Sequence, residues 1–345
     1  MAKSDDENPS IKGEGGNPAK PAPDISFAST LMQPSLVWGC SAADQALLVT
    51  DDLDAVDKEG FHWLHLNLAD QRTHRWLAEQ RFFPAAIQEL LMSRDSHPRV
   101  LVEEEGLGIV LQDFERGLDS GLDAEIGALH IAIADGLIVT GRYHPLRSAD
   151  VVRQRLARAV TLDGASALTL IFDAMSGLLS SDVRELGLEV QTCEDDLLNA
   201  GSSAGARALI TVRRRGARLH RLVGGMRAVL HRLENDPDTP EALQPVAERF
   251  AQRVDSIDAD IMGAQGQVRM LRDEIDLEAA QHTNETLYFL SVMNALLLPA
   301  TLVTGFFGMN TGGLPFAQGW AGTAAAGAVA LLASGTTWML LKSRR

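Results

Sequence analysis

Polar side chains inside an apolar, uncharged run are the residues of this chain best placed to do chemistry. Leu287 to Phe307 is a run of 21 residues without a charge. Projected at coiled-coil spacing, it yields one stripe of Leu287, Ser291, Asn294, Leu298, Thr301 and Gly305, leading on to Gly308 and Asn310. Hydroxyl, amide and carbonyl oxygens suit a cation that keeps its water, whereas zinc prefers nitrogen and sulfur ligands. A polar belt just before the run carries Asp276, Glu278, His282 and Glu285. Repeated around a ring, such groups would concentrate divalent cations or hold one as a gate at a cytoplasmic mouth. The plainer alternatives are a solvated helix junction for the belt and interhelical packing for the stripe. His62 and His65 are further candidate metal ligands, with ordinary half-buried strand residues as the plainer reading.

Enzyme chemistry finds no support. The chain has no Walker loop, no GxSxG, no HExxH and no nucleophile with a placed base, and no cofactor is indicated. A formal charge of −15 argues against nucleic acid and leaves cations as partners. The two cysteines, Cys40 and Cys193, are far apart, so neither a disulfide framework nor a thiolate zinc site is expected.

The elements that must position these residues begin with the apolar run itself. At ~1.5 Å per residue it makes about 30 Å of helix, the thickness of a bilayer core. A second uncharged run, the 22 residues from Trp320 to Leu341, follows after a 12-residue loop, so the two spans form a hairpin. No apolar export signal precedes the N-terminal part, and Lys342-Ser343-Arg344-Arg345 is basic while 308–319 is not. Both termini are therefore expected in the cytoplasm and the loop outside. Pro299 is expected to kink the first span and leave the Ala295 carbonyl without its usual partner. Gly322, Ala326, Ala330 and Ser334 form a small-residue stripe that assigns the second span to packing around the first.

Upstream, residues 1–30 read as a disordered polar tail and 31–147 as a cytoplasmic α/β domain. Its strands are expected at 45–50, 61–68, 99–102, 108–114, 125–134 and 137–143. Helices are expected at 71–80 and at 84–92, with Pro84 in the first turn of the latter. Residues 148–286 read as a helical stalk, with helices at 148–160, 166–199, 204–234 and from about Pro240 as far as Phe307. Phe250, Val254, Ile257, Ile261, Ala264, Val268, Leu271 and Ile275 repeat as a heptad seam, so another element must pack along them. The arginine-rich segment 213–232 is either a basic face meeting the acidic 185–196 helix of a neighbour or a solvated helix with ordinary ion pairs. The fold class expected is thus an α+β membrane protein: cytoplasmic α/β domain, long stalk helices (148–286), first span (287–307), outer loop (308–319), second span (320–341) and basic tail (342–345).

At Gly308-Met309-Asn310, between two spans near the chain end, the sequence resembles the CorA metal-ion transporter superfamily. The continuation Thr311-Gly312-Gly313-Leu314-Pro315 resembles its ZntB-type zinc transporter branch. The resemblance implies a ring-shaped homopentamer in the inner (plasma) membrane, with lipids, divalent cations and its own copies as partners. It implies zinc transport, accelerated by a proton gradient, through a central pore lined by the first span, with Gly308, Met309 and Asn310 at the outer mouth. A Mg2+, Co2+ or Ni2+ channel of the same superfamily is the alternative, and a membrane-anchored sensor a more distant one. The loop lacks the acidic residues that many magnesium members carry there.

Overall fold

Apolar runs punctuated by turn residues become one seven-stranded sheet. In the computed structural model, which describes residues 33–43, 46–51, 53, 60–117, 125–159, 162–200, 202–308 and 320–343, the strands are β1 (Leu36–Ala43), β2 (Ala46–Thr50), β3 (Phe61–Asn67), β4 (Arg99–Glu103), β5 (Gly106–Phe114), β6 (Ile126–Ala134) and β7 (Leu137–Arg142). Their order is β2-β1-β3-β7-β6-β5-β4. The β3–β7 pair is parallel, and the others are antiparallel. Asp135-Gly136 makes the two-residue β6–β7 turn, with Gly136 at φ 73°, where a side chain would be strained.

Helices α1 (Gln71–Glu79) and α2 (Ala85–Met92) fill the connection from β3 to β4. Leu64, Leu66, Leu68, Trp76, Leu77, Ile87, Leu91 and Val139 form the main core on that side. Strands β3 and β6 are buried along nearly their whole length rather than alternately, because both faces of the sheet are covered. That cover corrects the reading of His62 and His65 as half-buried, since they are 2% and 1% exposed. Strand β1 was not expected from sequence. Its Gly39, Ser41 and Ala42 carry little strand preference, and pairing on both sides with β2 and β3 decides its conformation. Pro84 is the N-cap of α2, with extended backbone, rather than a first-turn residue.

The helical part comprises α3 (Arg147–Leu156), α4 (Gly164–Ala200), α5 (Ser202–Asn235), α6 (Gln244–Gly308) and α7 (Trp320–Ser343). Helix α3 begins after Leu146, which has no side chain able to cap it. Buried Asp113 on β5 does so instead, accepting from Ser148 N at 2.8 Å, and burial pushes its carboxyl pKa up against that bond. Helix α6 starts at Gln244, later than Pro240, because a turn closed by Leu243 N donating to Pro240 O precedes it.

The chain divides into two compact units, one of residues up to Val190 with Thr211–Gln265, the other of Gln191–Ile210 with Gly266–Arg345. In the first unit the seam residues Phe250, Val254, Ile257, Ile261 and Ala264 are buried. Phe250 lies 5.4 Å from Phe172 of α4, ring to ring, and Arg253 donates to Asp173 at 2.8 Å. Helix α4 therefore supplies part of the surface that the seam requires.

Glycine allows one further close approach, on α5. A Cβ at Gly225 would stand 2.5 Å from Pro98 Cγ, while one at its neighbour Gly224 would meet nothing within 4 Å. Gly225→Ala should destabilise the protein by about 1–3 kcal/mol through overpacking, and Gly224→Ala should stabilise it by about 0.5–1 kcal/mol through helix propensity. Thermal unfolding of the two variants side by side, with Tm moving in opposite directions, checks this.

Candidate functional site

In the apolar stretch of α6 from Leu287 onward, the half-buried residues among the described side chains are Val292, Ala295, Leu296, Pro299, Ala300 and Val303. Their spacing by threes and fours places them on one face. Helix α7 packs there, with Ser334 Oγ donating to Leu296 O at 3.0 Å. On α7, Ala330, Ala333, Ser334 and Thr337 are half-buried and Gly322 buried, so most of the expected small-residue stripe faces inward; the Ala326 side chain lies outside the described ones. Leu296 and Ser334 stand at similar distances from the 309–319 connection, so the two helices run antiparallel.

The expected stripe occupies the other side. Leu287, Ser291, Asn294, Leu298, Thr301 and Gly305 are all exposed, about 150° around the helix from the α7 face at 100° per residue. Thr301 Oγ1 donates to Leu298 O at 3.0 Å, and Thr304 Oγ1 to Thr301 O at 3.1 Å. With their protons spent on the helix, these hydroxyls present lone pairs outward. Waters around a cation point their hydrogens away from it, so a row of acceptors can hold such a shell. Gly308 is the last described residue of α6, and Met309 and Asn310 lie outside the described residues.

Asp276, Glu278, His282 and Glu285 are all exposed. Asp276 lies about five turns before Asn294 and on the same side of the helix, 3.8 Å from Arg272. Glu278, His282 and Glu285 continue the line of Val268, Leu271 and Ile275, roughly opposite the Ser291 and Asn294 stripe. Among the described residues no group of three or more His, Cys, Asp or Glu is arranged to hold a metal.

His65 is a packing residue with a polar edge. It stacks on Trp38 at 5.0 Å between centroids, and its Nδ1 lies 2.9 Å from Thr140 Oγ1, which also accepts from Trp63 Nε1 at 2.9 Å. Its Nε2 has no hydrogen-bond partner among the described residues. Burial, aided by nearby Arg142, pulls its pKa down to about 3, so the ring stays neutral. Helix α5 likewise takes the plainer course. Arg215 pairs with Glu185 and Glu189 of α4 in the same chain, Arg227 Nε is 2.7 Å from Asp255 of α6, and His220 Nδ1 is 2.8 Å from Asp258.

Among the described residues, two helices are long and apolar enough to cross a membrane by composition, α4 and α6. The apolar window of α4 is 44% buried and includes core residues Leu168, Ile171, Phe172 and Met175, whereas that of α6 is 0% buried. The α6 window has no protein core to account for it. Helix α7, uncharged from Trp320 to Leu341, exposes Trp320, Leu331, Leu332 and Met339 beside it.

A family model described as CorA-like Mg2+ transporter protein matches residues 58–345. The chain belongs to this family. Its members are transporters, not enzymes, and this chain is a CorA-family divalent cation transporter. Two curated relatives are zinc transport proteins ZntB. That of Cronobacter sakazakii is 28% identical over 84% of this chain and 89% of its own, and that of Klebsiella pneumoniae is 29% identical over 76% and 81%. Both agree with the ZntB resemblance at Thr311–Pro315. Among solved structures, full-length CmaX superposes with a TM-score of 0.73 at 19% identity, covering 92% of this chain and 99% of its own. The CorA magnesium transporter of Methanocaldococcus jannaschii gives 0.75 at 15%, covering 88% and 96%. The ZntB cytoplasmic domain of Vibrio parahaemolyticus gives 0.60 at 17%, covering 72% and 100%. At such identities these likenesses establish the fold.

Two contacts escaped the sequence reading. The Asp113 cap joins residues far apart in sequence, and Ser334 looked like one small residue among several; the nearby Pro299, which strips a backbone partner from α6, was the available signal.

A neutral buried imidazole carries a pH signature. The folded-state pKa of His65 lies below its ordinary 6.5, so as pH falls from 6.5 toward 3 the unfolded chain takes up the proton first and stability is lost across that window. A His65→Leu variant should lose less stability than the unsubstituted protein over the upper part of this window. Urea midpoints measured against pH check it.

Proposed function

We propose that this chain carries zinc across the inner (plasma) membrane through a central pore, as a homopentamer whose innermost helix is the second half of α6. The observation that carries the reading is the acceptor-bearing stripe of Ser291, Asn294 and Thr301, left uncovered on the side of α6 away from α7. Polar groups in hydrocarbon are costly, so this side meets protein or water. Two helices cannot enclose an aqueous path, but a ring of identical copies can. In this reading α6 and α7 form a transmembrane hairpin with both termini cytoplasmic, and a proton gradient accelerates transport. Glu278, His282 and Glu285 draw cations toward the cytoplasmic entrance from the flank of the helix. That both relatives are zinc transport proteins favours zinc, and magnesium is the second reading because oxygen donors suit a hydrated cation equally well.

In this reading the first span ends at the Gly308-Met309-Asn310 motif, and its last carbonyls turn the negative end of the helix dipole toward the outer mouth. A ring of Asn310 amides beside them holds a cation through its waters, weakly enough to release it.

Purified protein in liposomes should admit zinc. Magnesium flux without zinc flux moves the chain to the second reading, and no flux of either ion removes the transport proposal. Asn310→Ala should lower zinc flux about tenfold or more, since several amide–water bonds of ~1 kcal/mol each are lost around the ring. If Asn310→Gly transports at the unsubstituted rate, the residue serves only the turn. Cysteines introduced at Thr311 or Gln318 should react with impermeant thiol reagents from outside, and one at Ser343 should not.

A further inference from the structure

We propose that Ser334, on the helix away from the ion path, is a positioning residue for transport, because its hydroxyl holds the α6 helix at the defect made by Pro299. The inference rests on the pore reading above. Proline lacks the N–H that would meet the Ala295 carbonyl, and its ring crowds that same carbonyl. Pro299 lies on the α7-facing side of α6 together with Ala295, Leu296 and Ala300. The weakened stretch of backbone therefore opens toward α7. Ser334 Oγ donates beside the orphaned carbonyl, to the next one along, Leu296 O, at 3.0 Å.

The neighbouring hydroxyls behave differently. Thr301 and Thr304 bond back to α6, and Thr336 and Thr337 to Ala333 O of α7, whereas Ser334 reaches across. Its half-buried place next to Ala333 and one turn from Ala330, where the helix surface is low, brings the hydroxyl within reach of the α6 backbone. A proline leaves the two halves of a helix free to bend about it, and a bond from a second helix beside that joint fixes the bend. Everything beyond the joint depends on that angle. Thr301, Gly305 and Gly308 lie beyond it and Ser291 and Asn294 before it, so the Ser334 bond sets how the outer half of the stripe aims relative to the inner half.

The test uses the full-length protein in liposomes, with zinc as the probe. Ser334→Ala should lower the maximal zinc flux about three- to tenfold, the range of one interhelical bond in a membrane. The zinc concentration at half-maximal flux should stay within about twofold, because donors at the entrance are untouched. Ser334→Thr, which keeps the hydroxyl, should restore most of the rate. Thiol accessibility separates aim from simple packing. A cysteine introduced by Thr301→Cys should change its reaction rate with a water-soluble thiol reagent when Ser334→Ala is added, and one introduced by Asn294→Cys should not. Unchanged flux and unchanged reactivity at both positions overturn the proposal, as does Ser334→Thr performing no better than Ser334→Ala. Absence of zinc flux in the unsubstituted protein strikes instead at the function proposed above, and the accessibility comparison still decides the role of Ser334.

Discussion

A helix has a limited circumference, and how α6 shares it governs the second unit. Helix α7 takes one side through Ala295, Leu296, Pro299 and their neighbours. The opposite side retains an amide and hydroxyls that hydrocarbon would penalise. Because α7 lies against the proline, that side keeps Asn294 and Thr301 free to face water. One packing choice thus both braces the backbone beside its proline and exposes the acceptors. Had the small residues of α7 matched the other side of α6, the polar stripe would have been consumed as packing between two helices of one chain.

The same sharing operates earlier in α6 with different chemistry. In the first unit, Phe250, Val254, Ile257 and Ile261 are buried, while Arg253, Asp255 and Asp258 make ion pairs with α4 and α5. Exposed pairs of this kind add about 0.2–1 kcal/mol each. The apolar seam therefore carries the packing, and the pairs bias which neighbours it accepts. Arg215, gripping Glu185 and Glu189, does the same between α4 and α5.

Legibility in the sequence followed the range of the interactions. The heptad seam and the uncharged runs are local patterns with strong periods, and they foretold α6 and α7 to within a few residues. The β6–β7 hairpin was legible from two apolar runs around Asp135-Gly136. Strand β1 was not, because its identity lies in partners from β2 and β3 rather than in its own side chains. Nor was the depth of His65, since a strand covered on both faces reads the same as one covered on a single face when its residues are large and aromatic. At the candidate path, spacing alone drew the stripe, but the belt at 276–285 needed the helical register to reveal that Glu278, His282 and Glu285 follow another side. Asp113 and Ser334 each serve backbone groups elsewhere, and a side chain's service to distant backbone leaves no periodic trace.

The single parallel pair in the sheet also governs the order of events during synthesis. Strand β3 has one edge paired with β1 from the start, but its other edge waits for β7, some seventy-five residues later by the His62 to Leu137 pairing. Until Arg142 has left the ribosome, the newborn chain presents an open, apolar strand edge of the kind that invites pairing with other chains. Strands β4, β5 and β6 emerge in that interval as a meander with an open edge of its own, and β7 closes both edges at once. That closure comes long before Leu287, so the sheet can be complete before the first strongly apolar helix of the second unit is made.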